Sequence, residues 1–129
     1  MTSWLNLIAI AAGGALGSVL RYLITIASTA VPGGSSMLGT TIANVLGCGL
    51  IGALLAYGAV DGNLSDRAAL AIRVGFLGGL TTFSSFAAES ADLAGADRWL
   101  GSGLYIAANL FIGWAALMLG SSLMKGWMT

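Results

Sequence analysis

Long apolar stretches alternate with short polar ones four times along this chain. A bilayer core about 30 Å thick needs roughly 20 helical residues to cross it, and each stretch reaches that length. The first runs over about residues 4–28, with Arg21 as its one charged residue. A loop follows that holds the sole proline, Pro32, and the pair Gly33-Gly34. The second stretch covers about 37–60, and the polar cluster from Asp61 to Arg67 separates it from the third. Within that cluster Ser65 is placed to cap the next helix. The third stretch covers about 68–91, a polar turn lies between Asp92 and Trp99, and the fourth covers about 100–124. Trp4, Trp99 and Trp127 fall near the ends, where amphipathic rings sit at the membrane–water interface. The pattern predicts an all-α integral membrane protein whose residues 1–129 form a single four-helix domain. The N-terminal stretch lacks a basic leader and continues beyond signal-peptide length, so it reads as the first span of the mature protein.

Composition narrows the function classes. Of 129 residues, 57% are hydrophobic and 8% charged, with a mean hydropathy of +0.92. Soluble domains carry roughly 25% charged residues, so membrane lipid is the solvent for this chain. The net charge is zero and no basic patch exists, which argues against a nucleic acid partner. There is no histidine, and the one cysteine, Cys48, sits in an apolar run as a small packing residue.

With four spans the termini share a side, together with Arg67, Arg73 and Lys125, while Arg21 and Arg98 lie on the other. That bias is too small for the positive-inside rule to fix an orientation, and it is compatible with copies inserted both ways. Gly13 and Gly17 stand four residues apart, as do Gly75 and Gly79, and Gly47, Gly49 and Gly52 thin the second span. Small residues at such spacing let helices approach closely, and a dimer follows as an expectation. The run from Gly47 to Gly52 matches a dinucleotide fingerprint only in letters, because no strand–turn–helix surrounds it.

The segment Gly75-Phe76-Leu77-Gly78-Gly79-Leu80-Thr81-Thr82-Phe83-Ser84-Ser85-Phe86 places three glycines and four hydroxyl side chains at membrane depth. Adjacent glycines beside β-branched threonines favour a break near the middle of the third helix, and freed carbonyls at membrane depth suit a small hard cation such as Na⁺. Phe83 and Phe86 share a face, and their positive ring edges can contact an anion without trapping it. Asn44 lies inside the second span with Thr40 one turn earlier and Thr41 beside it. It either bonds another helix or donates toward an anion path. In the fourth span Tyr105 and Asn109 form a polar line at helical spacing, Glu89 and Ser90 stand toward the end of the third, and Arg21 either snorkels to the interface or draws anions inward. No titratable residue is expected inside the donor cluster itself.

These residues carry a resemblance. Gly75 to Phe86, with Gly39-Thr40-Thr41-Ile42-Ala43-Asn44 and the stretch from Gly14 to Tyr22, resembles the bacterial Fluc (CrcB) fluoride channels over essentially the whole chain. The resemblance implies an antiparallel, dual-topology homodimer in the bacterial inner membrane, with two pores that let F⁻ leave the cell passively and so reduce fluoride toxicity. It implies a structural Na⁺ at the dimer interface, held by the backbone carbonyls of Gly78 and Thr81. It assigns the fluoride pore to Asn44, Phe83, Phe86 and Tyr105, with Asn109 at a fourth-helix serine position, and the vestibule to Arg21 and Glu89; hydroxyls of Thr40, Ser84 or Ser85 are expected to substitute where that serine track is not matched. The family's fourth-helix serines fall on Asn109 and Gly113, so that polar track departs from the pattern; Asn109 is expected to offer a donor there.

Three rival readings remain at the level of sequence. A small multidrug-type proton-coupled exporter shares the size and span number but needs an embedded carboxylate, and the first span has none. A membrane enzyme would need a catalytic constellation that the chain lacks. A purely structural subunit would use its glycines for packing alone.

Overall fold

The computed structural model describes residues 3–60 and 62–129; Asp61, the first residue of the expected polar turn, lies outside the described residues. Four helical spans long and apolar enough to cross a membrane follow one another with short connections. The first is α1 (Trp4–Ala30) and the second α2 (Ser36–Val60). The third, Asp66–Gly95, is composite. It begins with α3 (Asp66–Leu70), continues through a π-helical stretch (Ala71–Leu77) into α4 (Gly78–Leu80), and resumes as α5 (Phe83–Gly95). The fourth is α6 (Trp99–Met128). At 1.5 Å per residue each span exceeds the thickness of a hydrocarbon core.

Helix ends follow local chemistry. The Ser65 side chain accepts from the amide of Ala68 at 3.3 Å, the cap that its position in the sequence predicts. Gly33, at φ 74°, turns the chain between α1 and α2 in a conformation that favours glycine. The expected polar turn after the third span is shorter than its composition indicates. Asp92 to Gly95 are still helical, and the reversal is made by Ala96, Asp97 and Arg98, with the Arg98 amide returning to the Leu93 carbonyl at 2.9 Å.

The interruption in the third span is local. Thr81 (φ −82°, ψ 152°) and Thr82 (φ −148°, ψ 117°) are extended, yet the joined helix bends by only 17°. The span is one bent element carrying a two-residue extended step.

What holds the spans together is mostly backbone against backbone. α1 packs on the π-helical stretch and α4, and α2 packs on α6. At the first contact Gly13 lies against the Ala71 carbonyl and Gly17 against the Phe76 carbonyl; at the second Gly52 lies against the Leu117 carbonyl and Gly120 against that of Gly49. Lipid is as apolar as leucine, so close approach and dispersion, rather than escape from water, bind such helices. Large apolar side chains accordingly point outward, among them Leu16, Leu104, Phe111 and Trp114, and the buried apolar core is small: Ala43, Leu77 and Leu80 in one cluster, Phe86, Leu93 and Tyr105 in another. Trp4, Trp99 and Trp127 are all strongly exposed near helix ends.

A Cβ at Gly17 would collide with the backbone of Phe76 and stand 2.9 Å from the amide of Leu80, whereas one at Gly103 would meet nothing within 4 Å. Gly17→Leu is therefore expected to destabilise the fold by about 1–3 kcal/mol. Gly103→Ala should match or slightly exceed the parent. Denaturant unfolding in detergent micelles measures both, and equal midpoints would refute the close-contact account.

Candidate ion pathway

The extended step at Thr81-Thr82 removes backbone groups from the helical ladder, and each freed group needs a partner in a medium without water. α2 supplies it. The Thr82 amide donates to Asn44 Oδ1 at 2.7 Å, and Asn44 Nδ2 donates back to the Thr82 carbonyl at 3.2 Å. One side-chain amide thus pairs with one main-chain unit as a neighbouring strand would. The second hydrogen on Asn44 Nδ2 goes to Asn109 Oδ1 at 3.3 Å. Asn109 in turn donates to the Thr41 hydroxyl at 3.1 Å and the Tyr105 carbonyl at 3.2 Å. Asn44 therefore bonds two other spans, and Asn109 turns its oxygen, not its nitrogen, toward Asn44.

Thr82 also organises the start of α5. Its Oγ1 accepts from the Ser85 amide at 3.2 Å and lies 3.2 Å from both the Ser84 and Ser85 hydroxyls. The sequence pointed to Thr82 only as part of the expected break, and to Ser84 and Ser85 as hydroxyls, without the cap that joins them. The spacing from Thr82 to Ser85, an N-cap hydroxyl three residues before its amide donor, was the signal that could have found it.

From this step a row of rings leads along α5 to α6. Phe83 and Phe86 meet edge-to-face with centroids 5.5 Å apart, and Phe86 and Tyr105 are tilted at 5.7 Å. Phe86 and Tyr105 are buried, while Phe83 is 76% exposed in the single protomer. The row ends at a carboxylate: Tyr105 Oη donates to Glu89 Oε2 at 2.6 Å, and Thr40 Oγ1 donates to Glu89 Oε1 at 3.2 Å. Glu89 is thus bonded directly to two members of the donor cluster. The expectation that no titratable residue stands within it is corrected here, because helix packing brings α2, α5 and α6 together around a side chain that the sequence places only toward a span end.

Two cavities flank the row. One, of about 380 Å³, is lined by Asn44, Asn109, Phe83 and Phe86 together with Gly78, Thr81, Thr82 and Arg73. Arg73, which sequence reasoning treated only as a flanking charge, therefore faces the same space as the carbonyl-bearing step. The other, of about 400 Å³, is lined by Arg21, Glu89, Thr40 and Ser85 with Ser18, Tyr22, Thr25 and Ser36. Arg21 sits between structural and vestibular positions: its Nε donates to the Gly79 carbonyl at 3.0 Å, so a cation from α1 caps a backbone group that the step leaves without a helical donor.

The family profile described as "CrcB-like protein, Camphor Resistance (CrcB)" matches residues 8–121. The chain belongs to the CrcB family. Proteins named "Fluoride-specific ion channel FluC" are similar to it over nearly their whole lengths. That of Roseiflexus sp. (strain RS-1) is 40% identical over 121 residues, covering 94% of this chain and 98% of the relative. That of Rhodopirellula baltica is 35% identical over 144 residues, covering 98% and 99%. That of Shewanella oneidensis is 40% identical over 118 residues, covering 92% and 94%. These CrcB-family relatives are named as ion channels, not enzymes, and with four membrane-spanning helices the chain is a multi-pass bacterial membrane protein.

If the Glu89 clasp contributes as a charge-assisted pair, Tyr105→Phe should destabilise the fold by about 1.5–3 kcal/mol. Thr40→Val should cost less, since its bond is longer. Unfolding midpoints in micelles test the order; a Tyr105→Phe protein as stable as the parent would remove the clasp from the account.

Proposed function

We propose that this protein is a fluoride-selective channel that lets F⁻ leave the cytoplasm down its electrochemical gradient. The observation that carries the reading is the row Phe83, Phe86, Tyr105, which runs from the cavity beside Asn44 to the Glu89 carboxylate lining the second cavity. The name shared by the relatives supports the same ion. Fluoride holds its water tightly, so a selective path must replace that shell with several donors and still release the ion. Ring edges, an amide and hydroxyls are neutral and individually weak, which meets both demands. HF crosses lipid, dissociates inside and leaves F⁻ trapped unless such a path exists; export needs no nucleotide.

The exposed Phe83 and the open side of its cavity fit a wall completed by a second copy. We read the functional unit as an antiparallel homodimer with two pores. The carbonyls of Gly78 and Thr81 suit a structural Na⁺ there. The Thr82 amide, the normal helical donor to Gly78, is committed to Asn44, and the extended Thr81 turns its own carbonyl out of the ladder, while both residues line one cavity. Carbonyl oxygens are ligands that a hard cation accepts. Bound there, Na⁺ would offset the cost of bringing an anion into a low-dielectric region. Extended dialysis into sodium-free buffer should lower flux and sodium add-back restore it; flux indifferent to sodium would sink this assignment.

Liposomes containing the purified chain, with a K⁺ shunt and a fluoride electrode outside, should release F⁻ rapidly and retain Cl⁻. Phe83→Ile and Asn44→Ala should each slow F⁻ release about tenfold or more, the factor that 1.4 kcal/mol on a barrier produces. Vesicles that stay fluoride-tight, or that leak chloride equally, would defeat the reading. Release that requires a pH gradient would instead favour the proton-coupled exporter, for which the embedded Glu89 would be the proton carrier.

A further inference from the structure

The amide of Asn44 has no free hydrogen. One goes to the Thr82 carbonyl at 3.2 Å and the other to Asn109 Oδ1 at 3.3 Å, while the Thr82 amide holds Asn44 Oδ1 at 2.7 Å and so fixes which way the group faces. Asn109 is itself oriented: its nitrogen is committed to the Thr41 hydroxyl at 3.1 Å and the Tyr105 carbonyl at 3.2 Å, leaving its oxygen as the end presented to Asn44. We infer that Asn109 is a positioning residue that acts through Asn44, its Oδ1 occupying the N–H that a passing anion would otherwise take. The inference rests on the fluoride reading above and adds a residue that sets how strongly the path binds its ion.

The chemistry of the two Asn44 contacts differs. The pairing with Thr82 is reciprocal and satisfies main-chain groups that have no alternative partner in lipid, so breaking it costs the desolvation of two backbone atoms. The contact with Asn109 is a single neutral bond slightly beyond the usual range for N–H···O. An anion arriving in the shared cavity offers the same N–H a charge-assisted bond, roughly twice as strong as a neutral one. The Asn109 bond is therefore the one that yields. Until it does, the Asn109 oxygen occupies that N–H, which weakens ion binding and speeds release.

Side-chain replacements at this position separate the roles. In Asn109→Ser the shorter hydroxyl no longer matches the amide's reach and can rotate to donate, which frees the Asn44 hydrogen. In Asn109→Asp a carboxylate still accepts the Asn44 hydrogen and repels an anion, while losing the donor to the Tyr105 carbonyl. The experiment measures fluoride efflux from liposomes against internal fluoride concentration for the full-length parent and both variants, each first checked for the parent's elution volume in detergent. Asn109→Ser is expected to lower the half-saturating fluoride concentration about tenfold, and Asn109→Asp to raise it beyond the range in which the parent saturates. A second readout is the Asn44 side-chain amide resonance in ¹⁵N-labelled protein, which should shift at lower fluoride in Asn109→Ser than in the parent. A parent that conducts with an unchanged half-saturation in Asn109→Ser, or two variants impaired alike, would overturn the inference and leave Asn109 a packing residue. A parent that passes no fluoride would overturn the function itself, and this inference with it.

Discussion

The reciprocal pairing of Asn44 with the main chain of Thr82 is the interaction on which the rest depends. A helix crossing lipid can interrupt its ladder only if another group satisfies the amide and carbonyl so released. α2 supplies both from one side chain. Because the step is satisfied laterally, α5 restarts with little change of direction, and Phe83 and Phe86 emerge immediately after it. Without that pairing the cheapest backbone would be an unbroken helix, and the ring row would have no fixed origin.

Several other polar groups are held in the same way, by a neighbour from a different span. Arg21 on α1 caps Gly79, Thr40 on α2 and Tyr105 on α6 hold Glu89 on α5, and Ser102 on α6 donates to the Ser90 carbonyl at 2.8 Å. Among the described residues no fully buried side-chain nitrogen or oxygen lacks a partner. The site is thus a cross-linked set of neutral donors with one carboxylate and one guanidinium, flanked by two cavities.

The spans and their small-residue seams were legible in the sequence because hydrophobic length and glycine spacing are properties of a single helix. Gly13 and Gly17 do meet the third span, and Ser65 does cap it. The π-helical register of Ala71–Leu77 was not legible: no residue type in it specifies a wider turn, and the register exists where Gly75 closes onto Ile10, Gly13 and Gly14 of another helix. The direction of the Asn109 amide was equally hidden, since the same side chain carries donor and acceptor and only Thr41 and Tyr105 decide between them. Glu89 was found as a residue but not as a partner, because both of its bonds come from other spans, which only helix packing brings alongside.

The seam between α1 and the third span has a mechanical consequence. Where Gly13 and Gly17 touch the Ala71 and Phe76 carbonyls, no rotamer lies between the two chains. Side-chain layers yield by hopping among wells, whereas covalent main chain hardly yields at all. A thicker or thinner lipid leaflet therefore tilts these two helices together more readily than it slides one along the other, and the carbonyl that Arg21 grips follows that tilt.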